Sequence, residues 1–268
     1  MIDKLGLTIN IPPDREYLDI HGKLTEDKYR SRLYRYMYEL DKAIVFIQPH
    51  KFNERGNARI PFTKIEINPK HFECFEDMEA YILPVFNRPA LYPEDFNVSR
   101  IDIAVDKENF PIDILLSILR IKQVRSDSIS YYKGTLYIGS DPKIRIYDKV
   151  KEIEAKIKKG KEVTKYEKNL LESGKGYTRF EVQIRSVKKT LKGVIDDPAS
   201  FVSYFDRLEF FDFKGNNGSG VLQVLYKYIN RKFRSELEKF RDHSIVADIK
   251  DKYILSVAEW FKSAADPF

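Results

Sequence analysis

Seven segments of this chain alternate apolar and polar residues with a period of two: LGLTINI, KAIVFIQ, FTKIEIN, SRIDIAVD, GTLYIGS, KIRIYDK and TRFEVQIR. That period belongs to β-strands with one face against a core and the other toward polar surroundings, and one-faced strands belong to antiparallel sheets. Helical spacing interrupts them at 69–86, at 111–121 (Pro111 in the first turn, then Ile112, Leu115, Leu116 and Leu119) and at 150–171. No regular strand-helix-strand rhythm runs through the chain. The expected fold class is therefore α+β: a mainly antiparallel sheet carrying a site on one face, flanked by helices and followed by a helical C-terminal segment.

The run KGNNGSG at 214–220 divides the chain into an expected main region, 1–213, and a C-terminal helical segment, 214–268. Within the latter, 221–241 spaces Leu222, Leu225, Ile229, Phe233, Leu237 and Phe240 as one apolar stripe with Lys and Arg on the other faces. Such a helix either packs by its stripe or reads DNA with its basic back. A last helix is expected over 248–262, burying Trp260. The Lys- and Glu-dense excursion around 150–176 reads as a solvated helix. Charged residues make up 33% of the 268, with a formal net charge of +6, which favours polyanionic partners without requiring them. A single cysteine, Cys74, near the core, suits a reducing compartment. With no apolar run long enough for a leader or a span, a soluble, cytoplasmic protein is expected, with no membrane partner.

Sorting the strands by alternate residues gives the chemistry. In RIDIAVD, Ile101, Ile103 and Val105 point inward, leaving Arg100, Asp102, Ala104 and Asp106 on the polar face. In RFEVQIR the polar set is Arg179, Glu181, Gln183 and Arg185. In KIEIN it is Lys64, Glu66 and Asn68, and in KIRIYDK it is Lys143, Arg145, Tyr147 and Lys149. If these strands share a sheet, Glu66, Asp102, Glu181 and Tyr147 emerge on one face. Carboxylate oxygens so placed suit a hard divalent cation, Mg²⁺ or Mn²⁺, able to polarise a phosphodiester. A phenol with an ordinary pKa of about 10 needs a metal, a base or flanking cations such as Arg145 and Lys149 to attack near neutral pH. The same alternation is equally a way to keep a sheet soluble, with Tyr147 as a packing residue.

The ordered set SRIDIAVD, GTLYIGS, IRIYDKVKE and TRFEVQIR resembles the Rep_trans family of rolling-circle replication initiators from plasmids of Gram-positive bacteria. The shared positions are Arg100, Asp102, Ala104 and Asp106, then Tyr137 and Gly139, then Arg145, Tyr147, Asp148, Lys149 and Glu152, then Arg179 and Glu181. KIEINPK matches an upstream strand, and the likeness covers about 60–186. It implies a metal-dependent DNA nickase and strand transferase, with 1–213 as the catalytic nicking region and 214–268 serving origin recognition or dimerisation. Tyr147 is then the nucleophile, giving a 5′-phosphotyrosine link and a 3′-hydroxyl primer, with Arg145, Lys149 and Glu152 around it. It nominates Asp102 and Glu181, then Glu66 and Asp106, for the Mg²⁺ or Mn²⁺. The implied partners are plasmid origin DNA, as a cruciform or a single-stranded nick site, a host PcrA-type helicase, and a second copy in a homodimer. Other tyrosine chemistries lack their marks: His21, His50, His71 and His243 form neither a His-hydrophobic-His metal motif nor a His-x-x-Arg pair. The alternative is an origin-binding or partner-binding protein with the same fold and no catalysis.

Overall fold

A computed structural model describes residues 1–25, 33–49, 62–88, 91–109, 111–112, 115, 119–122, 128–185, 187–210 and 245–265. The strands are β1 (Ile2–Ile9), β2 (Lys23–Thr25), β3 (Tyr34–Glu39), β4 (Ala43–Pro49), β5 (Thr63–Ile67), β6 (Asn97–Glu108), β7 (Leu119–Ile121), β8 (Ile129–Tyr132), β9 (Thr135–Ile138), β10 (Lys143–Asp148), β11 (Tyr177–Ile184) and β12 (Leu208–Phe210). Ten of them form one antiparallel sheet in the order β2-β3-β4-β5-β1-β6-β11-β10-β9-β8, and β12 pairs with β7 apart from it. The α-helices are α1 (Arg15–His21), α2 (Phe75–Ile82), α3 (Lys149–Lys158), α4 (Lys165–Glu172), α5 (Leu191–Asp196) and α6 (Ile245–Ala265). The fold is α+β, as the alternation requires. Among the described residues no helix is long and apolar enough to cross a membrane.

The chain divides into two compact units: residues 1–103, 183–198 and 256–268 form unit 1, and residues 104–182 and 199–255 form unit 2. In unit 1, β1 lies between β5 and β6, pairing Leu5 with Ile67 on one side and with Ile101 on the other. These apolar side chains are buried with Leu7, Val45, Ile65 and Val98. Gly6 is forced by crowding: a Cβ there would come within 2.9 Å of Ser99 Oγ. The helix α2 buries Phe75, Met78 and Ile82, the i, i+3, i+7 set of one helical face, and Phe75 meets Trp260 and Phe261 edge-on and tilted at 5.9 and 5.8 Å.

In unit 2, β8 and β9 make a two-residue hairpin whose central residues, Lys133 and Gly134, both have positive φ, the arrangement that matches strand twist. Gly139, the glycine of Tyr-x-Gly, also has φ +73, and a Cβ there would sit 2.9 Å from Pro142 O. Leu136, Ile138, Ile144, Ile146, Phe180 and Val182 are buried.

Several expected helices differ. The stretch 69–86 breaks into a 3₁₀ turn (Pro69–His71), α2, and a second 3₁₀ turn (Leu83–Phe86) containing Pro84, which has no amide hydrogen to continue the α-ladder. The stretch 150–171 is two helices: Gly160 at φ +65 follows the end of α3, and Thr164 and Glu167 begin α4 as a reciprocal capping box. Leu119 and Ile121, expected in a helix, lie in β7, because three residues of β12 pair with them. The last helix runs longer than expected, and its buried stripe is Ile249, Tyr253, Val257 and Phe261; Trp260 is half-buried beside it. The boundary at 214 and the basic helix 221–241 lie outside the described residues.

Candidate active site

The strand faces sort as the alternation predicts on the apolar side, but the opposite side needs a correction. On β6 and β11, Asp102, Ala104, Arg179, Glu181 and Gln183 are as buried as the apolar set. These strands have neighbours on both edges, and in unit 2 the α4 helix brings Tyr166 down onto Asp106. Ionisable groups so enclosed must be paired, and each of them is.

In unit 2 the pairing centres on two phenols. Tyr147 Oη donates to Glu181 Oε2 at 3.0 Å, and Arg145 Nη2 donates to Glu181 Oε1. The Arg145 guanidinium also lies over the Tyr147 ring, 5.9 Å from its centroid. Burial pushes the Tyr147 phenol well above its ordinary value, the Glu181 charge pushes it further, and Arg179 and Arg145 offset only part. The second phenol, Tyr166, donates to Asp106 Oδ2 at 2.6 Å, and Asp106 accepts a two-pronged bond from Arg179, Nε to Oδ1 at 2.6 Å and Nη2 to Oδ2 at 2.5 Å. Burial and the Asp106 carboxylate likewise raise Tyr166. Arg179 is fully buried and lies within electrostatic reach of both phenols; burial opposes its charge, but Asp106 outweighs that and holds it firmly protonated.

Lys149 is placed differently from the flanking role expected of it, whereas Glu152 lies within electrostatic reach of Tyr147 and helps to raise its phenol. The strand ends at Asp148, whose side chain caps α3 by accepting from Lys151 N at 3.1 Å, so Lys149 is the first helical residue. Its buried amine donates to Glu152 at 2.5 Å and to Glu167 at 2.8 Å, not to the Tyr147 hydroxyl. Glu167 uses its other oxygen to cap Thr164 N at 3.2 Å, and Lys156 joins at 2.6 Å. Burial would raise the Glu167 carboxyl, yet Lys149 and Lys156 hold it down to about 2.

In unit 1, Asp102 accepts from Arg100 Nε and Nη2 at 2.8 and 2.5 Å and from Gln183 Nε2 at 3.3 Å. Glu66 sits between Lys4 and Lys64 at 2.5 and 2.7 Å; burial opposes its charge, but the two amines lower it to about 2. All four carboxylates nominated for Mg²⁺ or Mn²⁺ are thus occupied by cationic side chains. Among the described residues no group of three or more His, Cys, Asp or Glu is placed to hold a metal ion. In this arrangement each of the four is engaged in an ion pair, so a cation binding there would have to displace a lysine or arginine from the carboxylate.

Sequence reading missed Tyr166, Glu167 and Gln183 as members of these networks, and took the excursion at 150–176 as solvated, whereas Ile153, Glu167 and Leu170 are buried. The signal for Glu167 was legible: T-x-x-E at 164–167 is a capping box. Comparison of the chain with protein-family models, curated proteins and solved structures finds no significant match.

Proposed function

We propose that this protein is a rolling-circle replication initiator that nicks one strand of a plasmid origin, with Tyr147 as nucleophile and Glu181 as the base that receives its proton. The observation that supports this most is the hydrogen bond from Tyr147 Oη to Glu181 Oε2. A phenol raised by burial does not ionise in advance, so its proton must pass to an acceptor as the oxygen attacks, and a carboxylate at 3.0 Å is such an acceptor. As Tyr147 Oη bonds to phosphorus, the bond from phosphorus to the 3′ oxygen breaks. The 3′ oxygen leaves with a proton from solvent as a free hydroxyl that primes synthesis, and the 5′ phosphate stays on the tyrosine. At termination a 3′-hydroxyl attacks the phosphotyrosine, breaking the bond from phosphorus to Tyr147 Oη and rejoining the strand, while a second tyrosine can make the further cut that supplies such a 3′ end. Arg145 holds Glu181 toward the phenol from its other oxygen and presents a cation beside the phosphate. The rest of the reading follows the resemblance: origin DNA as substrate, a cytoplasmic homodimer, a PcrA-type helicase as partner, and Mg²⁺ or Mn²⁺ in the reaction.

The test uses single-stranded oligonucleotides tiling inverted repeats in the DNA flanking the gene, incubated with Mg²⁺ or Mn²⁺ and resolved on denaturing gels. A protein–DNA adduct is expected from the wild type and none from Tyr147→Phe; an undiminished adduct from that variant removes Tyr147 from the role. Chelation with EDTA in the same assay tests the metal. A second reading, a DNA-binding protein without catalysis, is favoured by the ion pairing of every nominated carboxylate; binding without cleavage of any tiled sequence decides for it.

A further inference from the structure

The face of unit 2 that carries Tyr147 continues across β10, β9 and β8 to the last strand of the sheet. The register sets Tyr147 opposite Thr135 and Thr135 opposite Tyr132, while Arg145 lies opposite Tyr137 and Tyr137 opposite Ser130. One face of three strands therefore carries Tyr132, Tyr137 and Tyr147, and the other buries Leu136, Ile138, Ile144 and Ile146. Tyr132, on the last strand of the sheet among the described residues, is 61% exposed, although a large aromatic ring gains by burial.

A cation accompanies each ring. Lys133 Nζ lies 5.2 Å from the Tyr132 centroid, Lys143 Nζ 6.0 Å from that of Tyr137, and Arg145 5.9 Å from that of Tyr147. The positions these three strands contribute to this face (130, 132, 135, 137, 143, 145 and 147) include no Asp or Glu. Aromatic rings interleaved with cations suit one ligand chemistry: bases that stack on the rings and phosphates that meet the cations. A duplex hides its base faces and cannot use such a row, whereas a single strand can.

We propose that Tyr132 and Tyr137, with Lys133 and Lys143, form a track for single-stranded DNA that leads from the sheet edge to Tyr147. The proposal rests on the reading of Tyr147 as the nucleophile, but its binding step can be measured without cleavage. Because stacking tolerates any base, fluorescein-labelled oligo(dT) of about 20 nucleotides is a suitable probe, read by fluorescence anisotropy. Tyr132→Ala and Tyr137→Ala are each expected to weaken binding about tenfold, while Tyr132→Phe and Tyr137→Phe, which keep the ring, stay within about twofold of wild type. Tyr132 is exposed enough that its alanine variant folds normally. Unchanged affinity in both alanine variants overturns the track, as does equal affinity for a duplex of the same length; tighter binding of oligo(U) overturns the assignment to DNA. Loss of oligo(dT) binding with no covalent adduct from any wild-type incubation keeps the track and removes the nucleophile; an adduct that forms equally in the alanine variants does the reverse.

Discussion

In unit 1 the polar face joins Glu66 to two lysine amines and Asp102 to the Arg100 guanidinium and the Gln183 amide, whereas in unit 2 both Glu181 and Asp106 hold a phenol as well as a guanidinium. Both arrangements arise from the same alternation of carboxylate and cation along a strand. An amine or guanidinium on a carboxylate stays protonated at all ordinary pH and balances charge. A phenol on a carboxylate adds a proton that can move to it, and an oxygen left nucleophilic when it does. The cation on Asp106, Arg179, has no exposure at all, while Lys4 and Lys64 on Glu66 and Arg145 on Glu181 are partly exposed at 32%, 26% and 31%. Chemistry is therefore expected from unit 2, and charge balance from unit 1.

The largest expected difference is in rate. Glu181→Gln keeps a hydrogen-bond acceptor near Tyr147 but removes the proton acceptor, and should slow adduct formation by about 10²–10⁴-fold, the usual worth of a general base. Glu66→Gln, in unit 1, should change the same rate by less than about threefold, since its partners are two amines. Single-turnover gel assays measure both rates, and an equal fall in the two would mean that Glu181 has no special part in moving the Tyr147 proton.

Next comes stability. Arg179→Met leaves Asp106 in a site with 4% side-chain exposure, without its two-pronged partner, and should destabilise the protein by about 3–5 kcal/mol in urea denaturation. The double variant Arg179→Met, Asp106→Leu should recover much of that loss, because the stranded charge goes with the pair. A smaller loss follows acidification. The Glu66 and Glu167 carboxyls have folded values of about 2, below the ordinary 4.5, so each contributes stability that is fully present above about pH 4.5 and is lost as pH falls toward 2. Glu167→Gln should flatten this acid limb, measured by thermal melts from pH 5 to pH 2.

The apolar half of this fold was legible because period-two spacing is a strong signal: all seven segments are strands, and Ile101, Ile103, Phe180 and Val182 are buried as sorted. The polar half was less so. Alternation tells which residues leave the core side, but not whether other parts of the chain then cover them, and Asp102, Arg179 and Glu181 are buried although they lie on the polar side. The short strands β2, β3, β8 and β12 carry weak or no alternation and gain their structure from neighbours already paired. Lys149 was misplaced for a local reason: Asp148 is a good N-cap, and a cap turns the next side chain off the strand's alternation.

Lys64→Met should have the smallest effect. Lys64 is a quarter exposed, shares Glu66 with Lys4, and lies 5.2 Å from the Phe46 centroid. Methionine keeps much of the stem that packs on Phe46, and Lys4 remains to balance the carboxylate, so the lost ion pair is the kind that contributes about 1 kcal/mol or less. The contrast with Arg179→Met is then at least threefold in free energy, although both substitutions remove a cation from a carboxylate on the same kind of strand face. Equal losses in urea would mean that burial does not set the Arg179–Asp106 pair apart from the Lys64–Glu66 pair, and that Glu66 is held as tightly as Asp106. A loss that also disappears in 1 M salt, where exposed pairs are screened within about 3 Å, would place Lys64 on the solvated side of that division.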